Sequence, residues 1–431
     1  MMNLSRREFL AASAIAAAMA KGAAAAPRRR VGANEKITLG FIGQGGMGSG
    51  LLKIFKGFGD VEVAAVCDVY EPHRLKAKET AGGKAQEYKD FREVLDRKDV
   101  DAVVIATPDH WHAIPTILAC QADKDVYCEK PLSFRIAEGR AMVEAAAKHR
   151  RVTQMGNLIH ATENYHRVVE VVRSGILGTI AKTRVWMAAD RSGLGKPADS
   201  DPPAGLDWDF WLGPAPKRAF NTNRFLFHWR YFWDTGGGIL MDFCCHIVDL
   251  VHWAMEVDAP ETACATGGRY ALDDNAEVPD TLEVAYHYAK GPRGFDMVWS
   301  QTDFNAHGLE GMGLGIMFQG TEGTLVADYG GYRIIPAKGK ELHDKDVPRT
   351  LPRSVGHHRE WLDAIKSRDE CSCRFAYGHR LSSVGHLGNI ALWTGEKLRW
   401  DAKAERVTNH DEANRHLARL EERAPWTLPK V

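Results

Sequence analysis

The sequence predicts an α/β protein in two parts, a doubly wound parallel sheet followed by an α+β domain with a large open, mainly antiparallel sheet. Strand-like apolar runs alternate with helix-like runs between residues 36 and 155, the signature of βαβ units. Beyond Gly178 the pattern turns to in–out alternation, as in Lys182 to Ala188 and Thr281 to Tyr288, which suits strands with one buried face. At 431 residues the chain is long enough for two cores. The expected division is a leader and linker at 1–33, the parallel-sheet domain at 34–156, the second domain at 157–400 and a tail at 401–431. The last helices of the second domain are free to pack back on the first, and the tail reads as polar and mobile.

The first element is the leader. Ser5-Arg6-Arg7-Glu8-Phe9-Leu10 precedes an alanine-rich apolar stretch to Ala20 and then Ala24-Ala25-Ala26. Paired arginines, a mildly apolar run and a small-residue cleavage site resemble a twin-arginine (Tat) export signal, which implies the Tat machinery as a partner and a periplasmic or otherwise exported product. The apolar run is too short to cross a bilayer, and no later stretch reads as long enough to be a transmembrane segment. Removing residues 1–26, which hold Arg6, Arg7, Lys21 and Glu8, takes the 56 basic and 56 acidic side chains to 53 and 55, net −2. Such a balance recruits neither nucleic acid nor an anionic membrane. The eight cysteines sit mostly in apolar runs as small hydrophobes. Cys371 and Cys373 with His357, His358 and His379 match no zinc spacing, so no metal is expected.

Lys36 to Ile42 reads as a buried parallel strand, and Gly43-Gln44-Gly45-Gly46-Met47-Gly48 follows before a helix-like run with Leu51, Leu52 and Ile54. This is G-x-G-x-x-G in the strand–turn–helix context of a Rossmann nucleotide site. The first glycine permits the tight turn, the second admits a pyrophosphate to the backbone, and the third lets helix and strand pack closely. The helix N-terminus then faces the phosphates with free N–H groups. The next strand, Val61 to Cys67, ends at Asp68, placed to accept from ribose hydroxyls and to repel a 2′-phosphate, which favours NAD. Arg74 nearby keeps NADP open.

Val100 to Ala106 is a further strand and leads into Thr107-Pro108-Asp109-His110-Trp111-His112; Asp125 to Cys128 leads into Glu129-Lys130-Pro131. In doubly wound sheets ligands bind at these carboxyl edges. Thr107, Pro108, His110, His112, Glu129 and Lys130 are therefore cofactor-contact candidates, together with Asn157 at the next junction. A lysine at the nicotinamide edge can bond a substrate hydroxyl and help move its proton.

In the second domain, Gly236-Gly237-Gly238 precedes a helix-like stretch with Asp242, His246 and Asp249. Residues four apart share a helix face, so Asp242 and His246 can point into one cleft. His246 is the candidate base, with Asp242 orienting substrate or steadying the imidazolium. By itself such a pair more often makes a local hydrogen bond. The stretch 190–234 is loaded with aromatics, including Trp208, Trp211, Phe225, Trp229 and Trp233, most of which fit core or a subunit contact. Arg230 and Trp233, with Trp111, are the substrate candidates, because rings cover sugar faces and a guanidinium bonds hydroxyls or an acidic group. His386 and Asn389 lie on a later helix that fits packing against the first domain.

The glycine fingerprint, Thr107-Pro108 with His110 and His112, and above all Glu129-Lys130-Pro131 resemble the Gfo/Idh/MocA family of sugar and cyclitol oxidoreductases, over nearly all of the chain after its leader. The resemblance implies a catalytic role for Lys130 and places the D-x-x-x-H of Asp242 and His246 at the active site. It also implies a homo-oligomer built through the second sheet. The implied activity is NAD(P)-dependent hydride transfer at a hydroxyl of a sugar, glycoside or cyclitol. Since an exported compartment has no free nicotinamide pool, the cofactor is expected to be tightly bound. Three alternatives stay open: a redox-neutral glycosidase or lyase using transient oxidation and elimination, an enzyme coupling two sugars, and a non-catalytic sugar or NAD sensor. The family's NAD-dependent glycosidases replace the Glu-Lys-Pro lysine, so its presence favours oxidoreduction.

Overall fold

The computed structural model describes residues 31–32, 35–289 and 294–431. The twin-arginine signal expected within 1–33 lies outside them but for Val31 and Gly32. Six strands, β1 (Ile37–Ile42), β2 (Val61–Cys67), β3 (Gln86–Tyr88), β4 (Ala102–Ile105), β5 (Asp125–Glu129) and β6 (Thr153–Gly156), form a sheet in the order β3-β2-β1-β4-β5-β6. Every pairing is parallel. β4, β5 and β6 are buried along their whole length, which is why they read as continuous apolar runs. The order reverses between β1 and β4, so a crevice opens at their carboxyl ends.

Nine strands make the second sheet: β7 (Ile180–Ala188), β8 (Thr262–Gly268), β9 (Thr281–Tyr288), β10 (Phe295–Thr302), β11 (Leu314–Gly320), β12 (Gly323–Ala327), β13 (Tyr332–Pro336), β14 (Leu398–Asp401) and β15 (Arg406–Val407), in the order β13-β12-β11-β7-β10-β9-β8-β14-β15. Only β7 and β10 pair in parallel; the other pairings are antiparallel. Alternate side chains of β9 and β10, among them Leu282, Val284, Tyr286, Met297 and Trp299, are buried.

Two helices pack on that buried face and carry it toward the crevice. Gly238–Met255 is long and apolar enough to cross a membrane by length and composition, which corrects the expectation that no later stretch is. Here 78% of it is buried inside the protein, and it is the central core helix. Phe375–Thr394 packs beside it: His386 Nε2 meets the Ser133 carbonyl at 3.0 Å and Asn389 Nδ2 donates to the Gly237 carbonyl at 2.9 Å. The first is a joint between the domains, and the second ties the two helices together within the second domain.

Residues 401–431 are not the loose tail their polarity suggests. Arg419 pairs with buried Glu138 at 2.5 Å and donates to the His110 carbonyl at 2.6 Å. Arg423 pairs with Asp209, and Trp426 stacks on Phe210 with centroids 4.8 Å apart and packs edge-on against Trp111 at 5.0 Å. The composition concealed this because the anchors are a few arginines and one tryptophan spread among polar neighbours. All eight cysteines are unpaired thiols, and only Cys264 is exposed.

Candidate active site

A cleft of about 490 Å³ opens where β1 and β4 diverge and is closed on the far side by the aromatic segment and the Gly238–Met255 helix. Its floor is the glycine turn. Gly43 has φ +85°, and a side chain there would meet the Ala106 and Thr107 backbone at 2.8 Å; one at Gly48 would sit 1.9 Å from the Gly43 carbonyl oxygen. Those two glycines let strand and helix close on each other. Above Gly45 and Gly46 a Cβ would meet nothing within 4 Å among the described residues, which leaves an open cradle in front of the first turn of the Gly46–Lys56 helix.

Asp68 ends β2 at the edge of this cradle, where its two oxygens accept from the Gln44 and Tyr70 backbone N–H groups at 2.6 and 2.8 Å. Arg74 is committed elsewhere: it bonds Glu87 at 3.0 Å and the Asp68 carbonyl at 3.2 Å. The cradle thus presents a fixed carboxylate to the ribose position, and the cations beside it among the described residues, Arg74 and Lys89, are paired with Glu87 and Asp207, a donor set that fits NAD better than NADP.

At the other end of the cleft, β5 delivers Lys130, joined to Pro131 by a cis peptide bond. The Lys130 ammonium donates to Asp242 Oδ1 at 2.6 Å and to the Asp242 carbonyl at 2.8 Å, while Arg230 Nε reaches Asp242 Oδ2 at 3.1 Å. Burial opposes charge on Lys130, but the Asp242 carboxylate, then Glu129, holds its pKa above the usual lysine value. Asp242 likewise stays far below the ordinary carboxylate range, because Lys130 and Arg230 outweigh its burial. Lys130 is thus a charged donor. This corrects the sequence reading of Asp242 as the partner of His246: both its oxygens are engaged by cations.

His246 lies one helical turn on, with Phe243 and Tyr329 as ring neighbours and, among the described residues, no partner for its buried Nδ1. Burial, then the Lys130 charge, lowers its pKa to about 3, so it is neutral imidazole at neutral pH. It can accept a hydrogen bond, and it is a weaker base than the sequence suggested.

The remaining candidates divide. Gly43, Gly45, Gly46, Met47, Asp68, Thr107, Pro108, Trp111, Glu129, Lys130, Arg230 and Asp242 line the cleft. Four that were expected to touch ligand instead hold the frame. His110 and His112 are buried against backbone carbonyls, His110 on Trp211 at 3.1 Å and His112 on Pro131 and Thr107 at 2.8 and 2.9 Å. Asn157 donates to the Cys245 carbonyl and to Asp249 at 2.8 and 2.7 Å, tying β6 to the core helix. Trp233 packs edge-on against Trp393, outside the cleft. Gln44 contributes its backbone, its side-chain amide folding onto the Gly43 carbonyl.

Sequence reasoning passed over Asp109. It is 5% exposed, lines the cleft and is pushed up to about 8, by burial first, with Asp242 adding to it against Arg230 and Lys130. Glu129 behaves alike, raised to about 7 by burial against the pull of Lys130. The available signal for Asp109 was its place two residues after Thr107 on a strand-end loop.

Residues 37–157 match a family model described as an oxidoreductase family with an NAD-binding Rossmann fold, and residues 163–428 match its C-terminal alpha/beta domain. Inositol 2-dehydrogenase of Salmonella typhimurium is 31% identical over 144 residues, 33% of this chain and 43% of that protein. Glycosyl hydrolase family 109 protein 1 of a Shewanella species is 30% identical over 214 residues, 42% of this chain and 45% of that one. The chain thus spans about half the length of the curated relatives it matches. In three dimensions the WlbA dehydrogenase of Bordetella pertussis, solved with NADH and UDP-GlcNAcA, superposes with a TM-score of 0.66 at 19% identity, covering 85% of this chain and 98% of that one. Fold, glycine cradle and family models agree, and the chain belongs to the Gfo/Idh/MocA oxidoreductase family, its N-terminal domain being that family's NAD-binding Rossmann fold.

Proposed function

We propose that the protein is an NAD-dependent oxidoreductase acting on a hydroxyl of a sugar, glycoside or cyclitol, with its cofactor held tightly. The observation that carries this is the Lys130–Asp242–Arg230 network at the end of the cleft opposite the glycine cradle. Gly43 to Gly48 and Asp68 would hold the cofactor, which supplies a hydride acceptor or donor when bound. Lys130, kept charged by Asp242, donates to the reacting oxygen and stabilises negative charge as it develops there. Glu129 and Asp109, which line the cleft and are raised by burial to about 7 and about 8, take the hydroxyl proton, and neutral His246 serves as a hydrogen-bond acceptor. Phe210, Trp211, Phe225 and Trp229 wall the cleft against water.

The test is a sugar panel added to NAD-loaded protein while absorbance of the reduced cofactor is followed. A sugar-dependent rise supports the reading; no rise with any sugar or cyclitol, by a protein that binds NAD, contradicts it.

The likeness to a glycosyl hydrolase family 109 protein favours one second reading, a closed redox cycle in which oxidation, elimination and re-reduction give no net change in cofactor. Release of aglycone without added NAD identifies it. Export is a further part of the proposal: Arg6-Arg7 ahead of the alanine-rich run supports a periplasmic site, and an intact Met1 on mature secreted protein overturns it. Homo-oligomerisation through the second sheet is proposed likewise, with light scattering as its test.

A further inference from the structure

Residues 205–213 of the second domain cross the cofactor crevice from one wall to the other. On the β2 side the Glu71 N–H donates to the Gly205 carbonyl at 2.9 Å and the Asp207 N–H to the Val69 carbonyl at 3.2 Å, and Lys89 adds an ion pair to Asp207 at 2.9 Å. On the β4 side the Trp211 carbonyl accepts from the Trp111 indole N–H at 2.9 Å and meets His110 Nε2 at 3.1 Å. Gly213 permits that approach, since a Cβ there would lie 2.0 Å from the Trp111 ring. Phe225, later in the same aromatic segment, packs edge-on against Tyr70 at 5.4 Å.

The crossing lies at the adenosine half of the site. Asp68 marks the ribose position and the glycine turn the pyrophosphate, and Phe210, Trp211 and Phe225 line the same cleft as Asp68, Gly45 and Thr107. From the outside, the C-terminal segment holds the crossing down. Arg423 bonds Asp209 Oδ1 at 2.7 Å, the Asp209 carbonyl at 2.6 Å and the Gly213 carbonyl at 2.5 Å, and Trp426 stacks on Phe210 with centroids 4.8 Å apart. Neither Arg423 nor Trp426 lines the cleft. Each of these bonds is modest alone, but lifting the crossing breaks them together, and an opening that breaks many contacts at once is rare.

We propose that residues 205–213 are a strap that shuts the adenosine end of the cofactor site, so that NAD enters and leaves only while the strap is lifted, and that Arg423 and Trp426 are the latch that sets how often it lifts. This rests on the reading of the glycine cleft as the site of a tightly held NAD and supplies its physical cause, a gate made by the second domain and the C-terminal segment. A gate slows entry and exit alike, whereas a contact to the cofactor slows exit alone.

The test uses the full-length protein with NADH as the probe. Release is followed by loading the protein with NADH, mixing it with a large excess of NAD and recording the loss of bound-NADH fluorescence; association is followed by mixing NADH with cofactor-free protein. Arg423→Ala is expected to release NADH about tenfold or more faster than the wild type and to take it up faster by a similar factor, so that the dissociation constant changes far less than either rate. Arg423→Lys, which keeps the charge but not the fork of donors, should fall between the two. Asp207→Asn loosens the strap at its β2 end and should act in the same direction, and this arm decides the matter should Arg423→Ala fail to fold. Release at the wild-type rate from the variants overturns the proposal and leaves the NAD-site reading standing. Faster release with unchanged association would reveal a lost cofactor contact in place of a gate and overturns it too. Failure of the wild type to bind NADH would remove both readings.

Discussion

The Lys130 ammonium sits 2.6 Å from Asp242 Oδ1, and the opposite oxygen of that carboxylate takes Arg230 at 3.1 Å. One acid on the core helix thereby fixes a cation from the cofactor sheet and a cation from the aromatic segment, so the two domains and the lining of the cleft meet in one carboxylate.

Removing that carboxylate leaves two cations facing each other with little water. Asp242→Asn is expected to lower stability by about 3 kcal/mol or more in chemical denaturation, and to abolish hydride transfer because Lys130 loses its position and its stabilised charge. Retained stability would show that the cations find other partners.

The glycine cradle separates folding from binding. A methyl group at Gly45 meets nothing within 4 Å among the described residues, whereas one at Gly48 lands 1.9 Å from the Gly43 carbonyl oxygen. Gly45→Ala should therefore unfold at the wild-type midpoint and bind NAD at least tenfold more weakly, since its methyl group occupies the pyrophosphate position. Gly48→Ala should lose stability and cofactor together. Titration calorimetry with thermal melts distinguishes the two.

Stability should fall as pH rises through neutrality. Asp109 is moved from the usual 3.8 up to about 8 and Glu129 from 4.5 up to about 7, each by burial first. A carboxyl with a raised folded pKa contributes stability fully below its unfolded value and loses it as pH climbs through the folded one. Buried histidines such as His246, lowered from 6.5 to about 3, work the other way below their unfolded value, so the fall is expected between about pH 7 and pH 8.5, and Asp109→Asn to flatten it. Acids held low by arginines, such as Glu170 at about 2, titrate outside this window.

The C-terminal segment braces the cleft. Trp426 joins Phe210 and Trp111, and Phe210 and Trp111 line the cleft. Trp426→Ala is expected to cost about 1–3 kcal/mol and to speed proteolysis within residues 207–227. An unchanged cleavage pattern would show that those residues hold themselves.

The parallel sheet was legible in the sequence because its strands are buried on both faces and its glycines are dictated by backbone contact, so residue type alone reports their environment. Lys130 was legible because it follows a strand end. The partner of Asp242 was not: helix spacing pointed to His246, four residues on, but the pairing with Lys130 spans 112 residues and two domains. His110, His112 and Asn157 were misjudged for a related reason. They sit at ligand-binding edges, but their bonds to the carbonyls of Trp211, Pro131 and Cys245 depend on chain segments that only folding brings near. Asp109 was missed because its raised pKa comes from burial, which a loop sequence does not announce.

The most direct measurement is a single turnover in purified protein saturated with NAD, comparing wild type with Lys130→Met on whichever sugar the wild type oxidises. The wild type should reduce its bound cofactor in proportion to active sites, and Lys130→Met should keep the cofactor and reduce it at least a hundredfold more slowly. Reduction by Lys130→Met at the wild-type rate would contradict the account.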